Sequence, residues 1–86
     1  MKNLEKLMKA TANRRRLAIL QYLKRHPGAP VGDIAEAIRL SFKATSKHLR
    51  VLSAADIIEY EKQSLLVCYA LARQQHVIVK QLLSLL

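Results

Sequence analysis

Apolar residues recur along this chain at two different spacings, and the change between them divides it into elements. Leu4, Leu7 and Met8 fall three and four apart, the spacing of one helix face, and predict a short helix over 3–10. After a break at Thr11-Ala12, Asn13 is placed to cap the next helix, its side chain accepting a hydrogen bond from the first turn. Leu17, Leu20 and Leu23, with Ile19, mark that second helix, and His26-Pro27-Gly28 ends it. Pro30 suits the first turn of a third helix, where its missing N–H is no loss, and Val31, Ile34, Ala35 and Ile38 form an apolar face.

Only Arg39 and Leu40 separate that face from Ser41, a further cap, and from a fourth helix over 42–55. The inward stripe of this helix is Thr45, His48 or Leu49, and Leu52. From Ile57 to Leu71 the period drops to two. Ile58, Tyr60 and Lys62 alternate with Ile57, Glu59 and Glu61, so two strands joined near Gln63-Ser64 are expected to form a β-hairpin. Helical spacing returns over 74–86, with Val79, Leu82, Leu83 and Leu86 on one stripe that Ile78 and Leu85 widen. The expected class is mainly α with a small β-hairpin, in the order α-α-α-α-β-β-α. Helices joined by so short a turn cross steeply, as in a helix-turn-helix, and the hairpin and last helix make it winged. At 86 residues the chain allows one domain, 1–86.

Charge changes this picture from a fold to a partner. The chain carries 15 Lys and Arg against 6 Asp and Glu, a formal +9. Between Ala37 and Ala55 there is no acid, while Arg39, Lys43, Lys47 and Arg50 are basic and His48 lies among them. The outer face of the fourth helix therefore reads Lys43, Ala44, Ser46, Lys47, Arg50, small and basic side chains that fit a DNA major groove. A solvated basic face is the plain alternative. Arg14, Arg15 and Arg16 open the second helix, where positive charge opposes the helix dipole; a phosphate contact or pairing across a dimer would account for them. The single cysteine, Cys68, cannot cross-link its own chain and reads as a small core or edge residue. No apolar run approaches membrane-spanning length, and MKNLEKLMK has no signal-peptide core, so a cytoplasmic, nucleoid-associated protein is expected.

Three segments resemble the ArsR family of transcriptional repressors, in order and without gaps from Leu7 to Leu71. Asn13-Arg14-Arg15-Arg16-Leu17-Ala18-Ile19-Leu20 is similar to the family's ADPTRLRIL segment, and Asp33-Ile34-Ala35-Glu36-Ala37 to its DLAEA helix. Leu40-Ser41 through Ser46-Lys47-His48-Leu49-Arg50-Val51-Leu52 resembles its LSxxxxSRHLRVL recognition helix. The resemblance implies a winged helix that dimerises through its terminal helices and reads double-stranded DNA. It puts DNA-reading positions on Phe42, Lys43, Ala44, Ser46 and Lys47. With the cap and the neighbouring cations, the expected contacts are Ser41, Lys43, Ala44, Ser46, Lys47, Arg50 and Lys62. Phe42 departs from the polar residue usual there and is expected to cover the turn. His48 reads as structural. Arg39 replaces the family's turn glycine and is expected in a left-handed conformation.

Further departures bear on sensing. The family's third-helix thiolate pair falls on Pro30 and Gly32, which ligate nothing, and the last helix offers only His76. A tight zinc or arsenic site needs three or four ligands, so neither a metal nor another cofactor is expected. In the wing, Glu59 and Glu61 stand where the family is often basic and leave Lys62 alone near the tip, so little DNA affinity is expected from it. Leu4, Leu7, Met8, Val79, Leu82, Leu83 and Leu86 are the expected homodimer contacts, since so small a monomer leaves apolar helix faces uncovered. Three readings compete: a dimeric DNA-binding repressor of pseudo-palindromic sites, a winged-helix module for RNA or protein, and an enzyme. The acidic wing leans toward the second and the basic helix toward the first. Against the third, Glu59 and Glu61 share a strand face with no phosphate loop or partnered nucleophile.

Overall fold

The computed structural model describes residues 2–86. Five helices and three short strands run in the order α1 (Lys2–Thr11), α2 (Arg14–Arg25), β1 (Ala29–Pro30), α3 (Val31–Ile38), α4 (Phe42–Ala54), β2 (Ile58–Gln63), β3 (Leu66–Leu71) and α5 (Val77–Ser84). Each boundary has a local cause. The Asn13 side chain accepts from the Arg16 backbone N–H at 3.1 Å and starts α2. Arg39 ends α3 in the left-handed region, φ 55° and ψ 50°, and the Leu40 N–H then reaches the Ala35 carbonyl at 3.0 Å. Asp56, at φ 59°, closes α4 in the same way, with the Ile57 N–H on the Leu52 carbonyl at 3.1 Å.

The wing is a three-stranded antiparallel sheet of order β1-β3-β2 rather than a hairpin alone. Ala29 and Pro30 pair with Tyr69 and Cys68, so Pro30 is an extended residue at the mouth of α3, φ −67° and ψ 156°, and not part of its first turn. Gly28 takes φ 80° and donates to the Tyr69 carbonyl at 3.0 Å, which turns the chain onto the open edge of β3. A proline is tolerated on such an edge because its missing N–H faces away from the ladder. The hairpin turns at Ser64-Leu65, with Ser64 at φ 59° supplying the positive φ a two-residue loop needs. The last helix is shorter than its apolar spacing predicts. Gln75 bonds the Ile57 and Ala72 carbonyls, at 2.7 and 3.0 Å, and holds the approach outside the helix until His76 caps it.

One apolar core joins these elements. Ile19, Leu20 and Leu23 of α2 lie at its centre, with Ile34 of α3 and Leu49 and Leu52 of α4 around them. Leu49, not His48, takes the inward position on α4. Ile57 and Ile58 are both buried, so the two-residue alternation of the wing begins only beyond them.

Candidate nucleic-acid interface

The core grips α4 by one side and thereby presents the other. Thr45, Leu49 and Leu52 are buried, while Lys43, Lys47 and Arg50 are exposed and Ala44 and Ser46 half-buried. The Ser41 hydroxyl accepts from the Ala44 N–H at 3.1 Å, so it is engaged as the helix cap. With no acid in its first turn, this face joins three cations to an unsatisfied helix N-terminus, and both favour phosphate.

The arginine trio has a use that its sequence position hides. Arg16 donates from Nε to the Ala10 carbonyl at 2.6 Å and from Nη2 to the Lys9 carbonyl at 3.2 Å, closing the end of α1. Its Nη1 lies 3.2 Å from His48 Nδ1 on α4. A guanidinium only donates, so Nδ1 accepts and the imidazole is neutral with its proton on Nε2. Burial, and then the charges of Arg16 and Arg15, hold the His48 pKa below its ordinary value of 6.5. Arg15 donates to the Ile38 carbonyl at the end of α3, 3.1 Å away, and Lys24 to the Leu83 carbonyl near the end of α5, 2.8 Å away. The cations of α2 thus meet the negative ends of three other helices; for Arg15 and Arg16 this offsets their placement against the dipole of α2 itself, whereas Lys24, in its last turn, agrees with that dipole. Arg14 remains exposed.

Strand pairing separates the charges of the wing. Tyr60 stands opposite Tyr69 and Lys62 opposite Val67, whereas Glu59 and Glu61 stand opposite Ala70 and Cys68. Tyr60, Val67 and Tyr69 line a groove with Val31, Phe42, Ser46 and Arg50, so one face of the wing looks toward α4. Lys62 is two residues from Tyr60 and shares that face. Glu59, Glu61, Gln63 and Cys68 line a cleft on the reverse, where Glu59 lies 3.9 Å from exposed Arg73. Of the expected contacts, Ser46 and Arg50 line this groove and Lys62 lies on the groove-facing side of the wing, while Glu59 and Glu61 lie on the other. Phe42 lies in the groove between α4 and the wing. It is 63% exposed at the first position of α4, outside the core and the side chains packed on it.

Apolar surface is also left at the chain ends. Met8 of α1, Val77 and Ile78 of α5 and Leu85 just after it are exposed, and Leu4 and Leu82 are half-buried. Leu7, Leu83 and Leu86 lean on the core while keeping part of their surface. Val79 has no surface to offer a second copy: at 1% exposure it is the residue that anchors α5 to the core. Among the described residues no three of His, Cys, Asp and Glu gather as metal ligands, and no helix is long and apolar enough to cross a membrane.

The helix-turn-helix domain family matches residues 11–61, from the end of α1 into the wing. HlyU from Vibrio cholerae N16961 is 32% identical and superposes with a TM-score of 0.82, over 98% of this chain and 87% of that one. The chain belongs to the winged helix-turn-helix transcriptional regulators of the ArsR/HlyU kind. The transcriptional regulator HlyU from Vibrio vulnificus CMCP6 is similar at 33% identity and TM-score 0.77, over 95% of this chain and 81% of that one. The homodimeric winged helix-turn-helix DNA-binding domain of Mb0332 from Mycobacterium bovis, a possible ArsR-family regulator, is 27% identical with TM-score 0.83, over 98% and 74%. No curated protein sequence matches. The family is one of transcriptional regulators and not of enzymes. In this regulator sequence reasoning singled out Arg15 and Arg16, for a phosphate contact or pairing across a dimer, but not the bonds they make within the chain, and it missed Lys24 and the groove side of the wing, Tyr60 and Val67.

Proposed function

We propose that this regulator is a homodimeric repressor that reads a pseudo-palindromic operator with α4. Ser41, Lys43, Ala44, Ser46, Lys47 and Arg50 contact DNA, and Lys62 reaches a phosphate from the wing. The carrying observation is the acid-free outer face of α4, with Lys43, Lys47 and Arg50 exposed on the side the core leaves open. Phosphate contacts set position and base-edge contacts set sequence, so the cations serve mainly the first and Ser46 and Ala44 the second. The wing carboxylates, which would favour a protein or RNA partner, stand behind this face and support DNA the more.

Two copies associate through α1 and α5, using Leu4, Met8 and Leu82 with the partly covered Leu7, Leu83 and Leu86. The homodimeric state of the Mycobacterium bovis domain supports this assembly. A two-fold pair of recognition helices asks for half-sites about one helical turn apart. Repression follows from occupancy of that site alone, with no metal or other cofactor needed to hold the fold.

Selection from random duplexes with the purified protein tests the reading. An enriched inverted repeat is expected. Four cations per copy, Lys43, Lys47, Arg50 and Lys62, give about eight phosphate contacts per dimer, so affinity should fall about ten-thousandfold between about 50 and 200 mM salt. Absence of an enriched motif, or equal binding to single-stranded RNA, would overturn it.

A further inference from the structure

We infer that Phe42 is a specificity-determining residue that packs on the C5-methyl group of a thymine in the major groove; this rests on the DNA-reading assignment of α4. Phe42 is the only phenylalanine of the chain, and 63% of it stands in solvent. Neither the core nor the side chains packed against it include this ring, so folding does not explain its size. It is the first residue of α4, behind a cap fixed by the Ser41–Ala44 bond, and so its backbone is ordered before any ligand arrives. Ser46 and Arg50 follow it at one-turn intervals along the same groove, and Lys43 and Lys47 flank that line.

Phe42 stands at the head of a largely apolar groove on a basic helix, with Arg50 in the groove and Lys43 and Lys47 beside it, and an exposed apolar ring there takes an apolar partner on the polyanion those cations bind. The N-terminal residues of a recognition helix are those that reach base edges. Phenylalanine neither donates nor accepts there, and the only apolar group a base pair offers in the major groove is the thymine methyl. A splayed base stacked between Phe42 and Tyr60 is a different occupant of the same groove. The Tyr60 ring is held beside Tyr69, tilted by 46° with 5.7 Å between centroids, and the test separates the two occupants because stacking does not need the methyl group.

The test uses the full chain and the duplex that selection enriches. Each thymine is replaced in turn by deoxyuridine, which removes the methyl and leaves every hydrogen bond. At one thymine per half-site the replacement should weaken binding about fourfold, the effect of one lost methyl contact. The Phe42→Ala protein should show no response there, and selection with it should lose the thymine preference at that position only. Phe42→Leu, which keeps an apolar side chain, should retain a reduced response. Equal binding of all deoxyuridine duplexes by the unaltered protein overturns the assignment while leaving the regulator reading intact, and so does a loss that Phe42→Ala reproduces. A preference for single-stranded over duplex DNA overturns it in favour of base stacking. If no duplex is enriched at all, the regulator reading has failed and Phe42 falls with it.

Discussion

Arg39 stands at φ 55° and ψ 50°, where a β-carbon crowds the backbone, and glycine would occupy the same turn without that contact. Arg39→Gly should stabilise the domain by about 0.5–1 kcal/mol, part of the relief being offset by the looser unfolded chain. For a domain this small that is about 2–8 °C in Tm, read by thermal denaturation. A lowered Tm would mean that the arginine side chain supplies something the turn needs. The short turn was legible from two residues set between an apolar face and a capping serine, and its left-handed residue only from the resemblance, which puts Arg39 where the family has glycine. The exposure of Phe42 was not, because spacing says where a residue lies on a helix and says nothing of whether a neighbouring element covers it. Leu49 and His48 were equally ambiguous: both fall near the inward stripe, and only the packing of α2 against α4 decides between them.

At the level of elements, α2 is bound to its neighbours through their ends. Its basic side chains close α1, α3 and α5, and one of them also holds His48 neutral. Because burial and the two arginines depress the folded pKa below 6.5, the unfolded chain takes up the proton first as pH falls. The His48 contribution is therefore present above about pH 6.5 and is lost as pH falls through that value toward the folded one. Wild-type stability in urea should drop from about pH 7.5 to pH 5.5 more steeply than that of His48→Gln, whose amide oxygen still accepts from Arg16. Parallel profiles would show that His48 is not the titrating group. None of these links could be read in the sequence, since every residue carries a carbonyl and no pattern marks which one a cation will find. Strand β1 escaped for a related reason: two residues have no period.

For the whole molecule, the winged-helix order was legible because each helix is amphipathic and the period changes on entering the wing and back again on leaving it. What a single chain's pattern does not separate is apolar surface turned to its own core from apolar surface turned to another copy. Val79 and Leu82 share a stripe, yet the first is buried and the second keeps surface. The double variant Leu82→Glu, Leu86→Glu should sediment as a monomer and bind the selected duplex at least about tenfold more weakly, having lost the second half-site. A dimer that persists in this variant would place the interface elsewhere.

Arg16 has a consequence at this scale. Three of its nitrogens join the last turn of α1 to the middle of α4, with no flexible segment between them. In a pair associating through α1, clamping that helix steadies the reading helix as well. An isolated copy would hold α1 to α4 through the Arg16 bonds, without a second chain pressed on α1. The number of copies present would then be felt at the operator as stiffness, before any second half-site is touched.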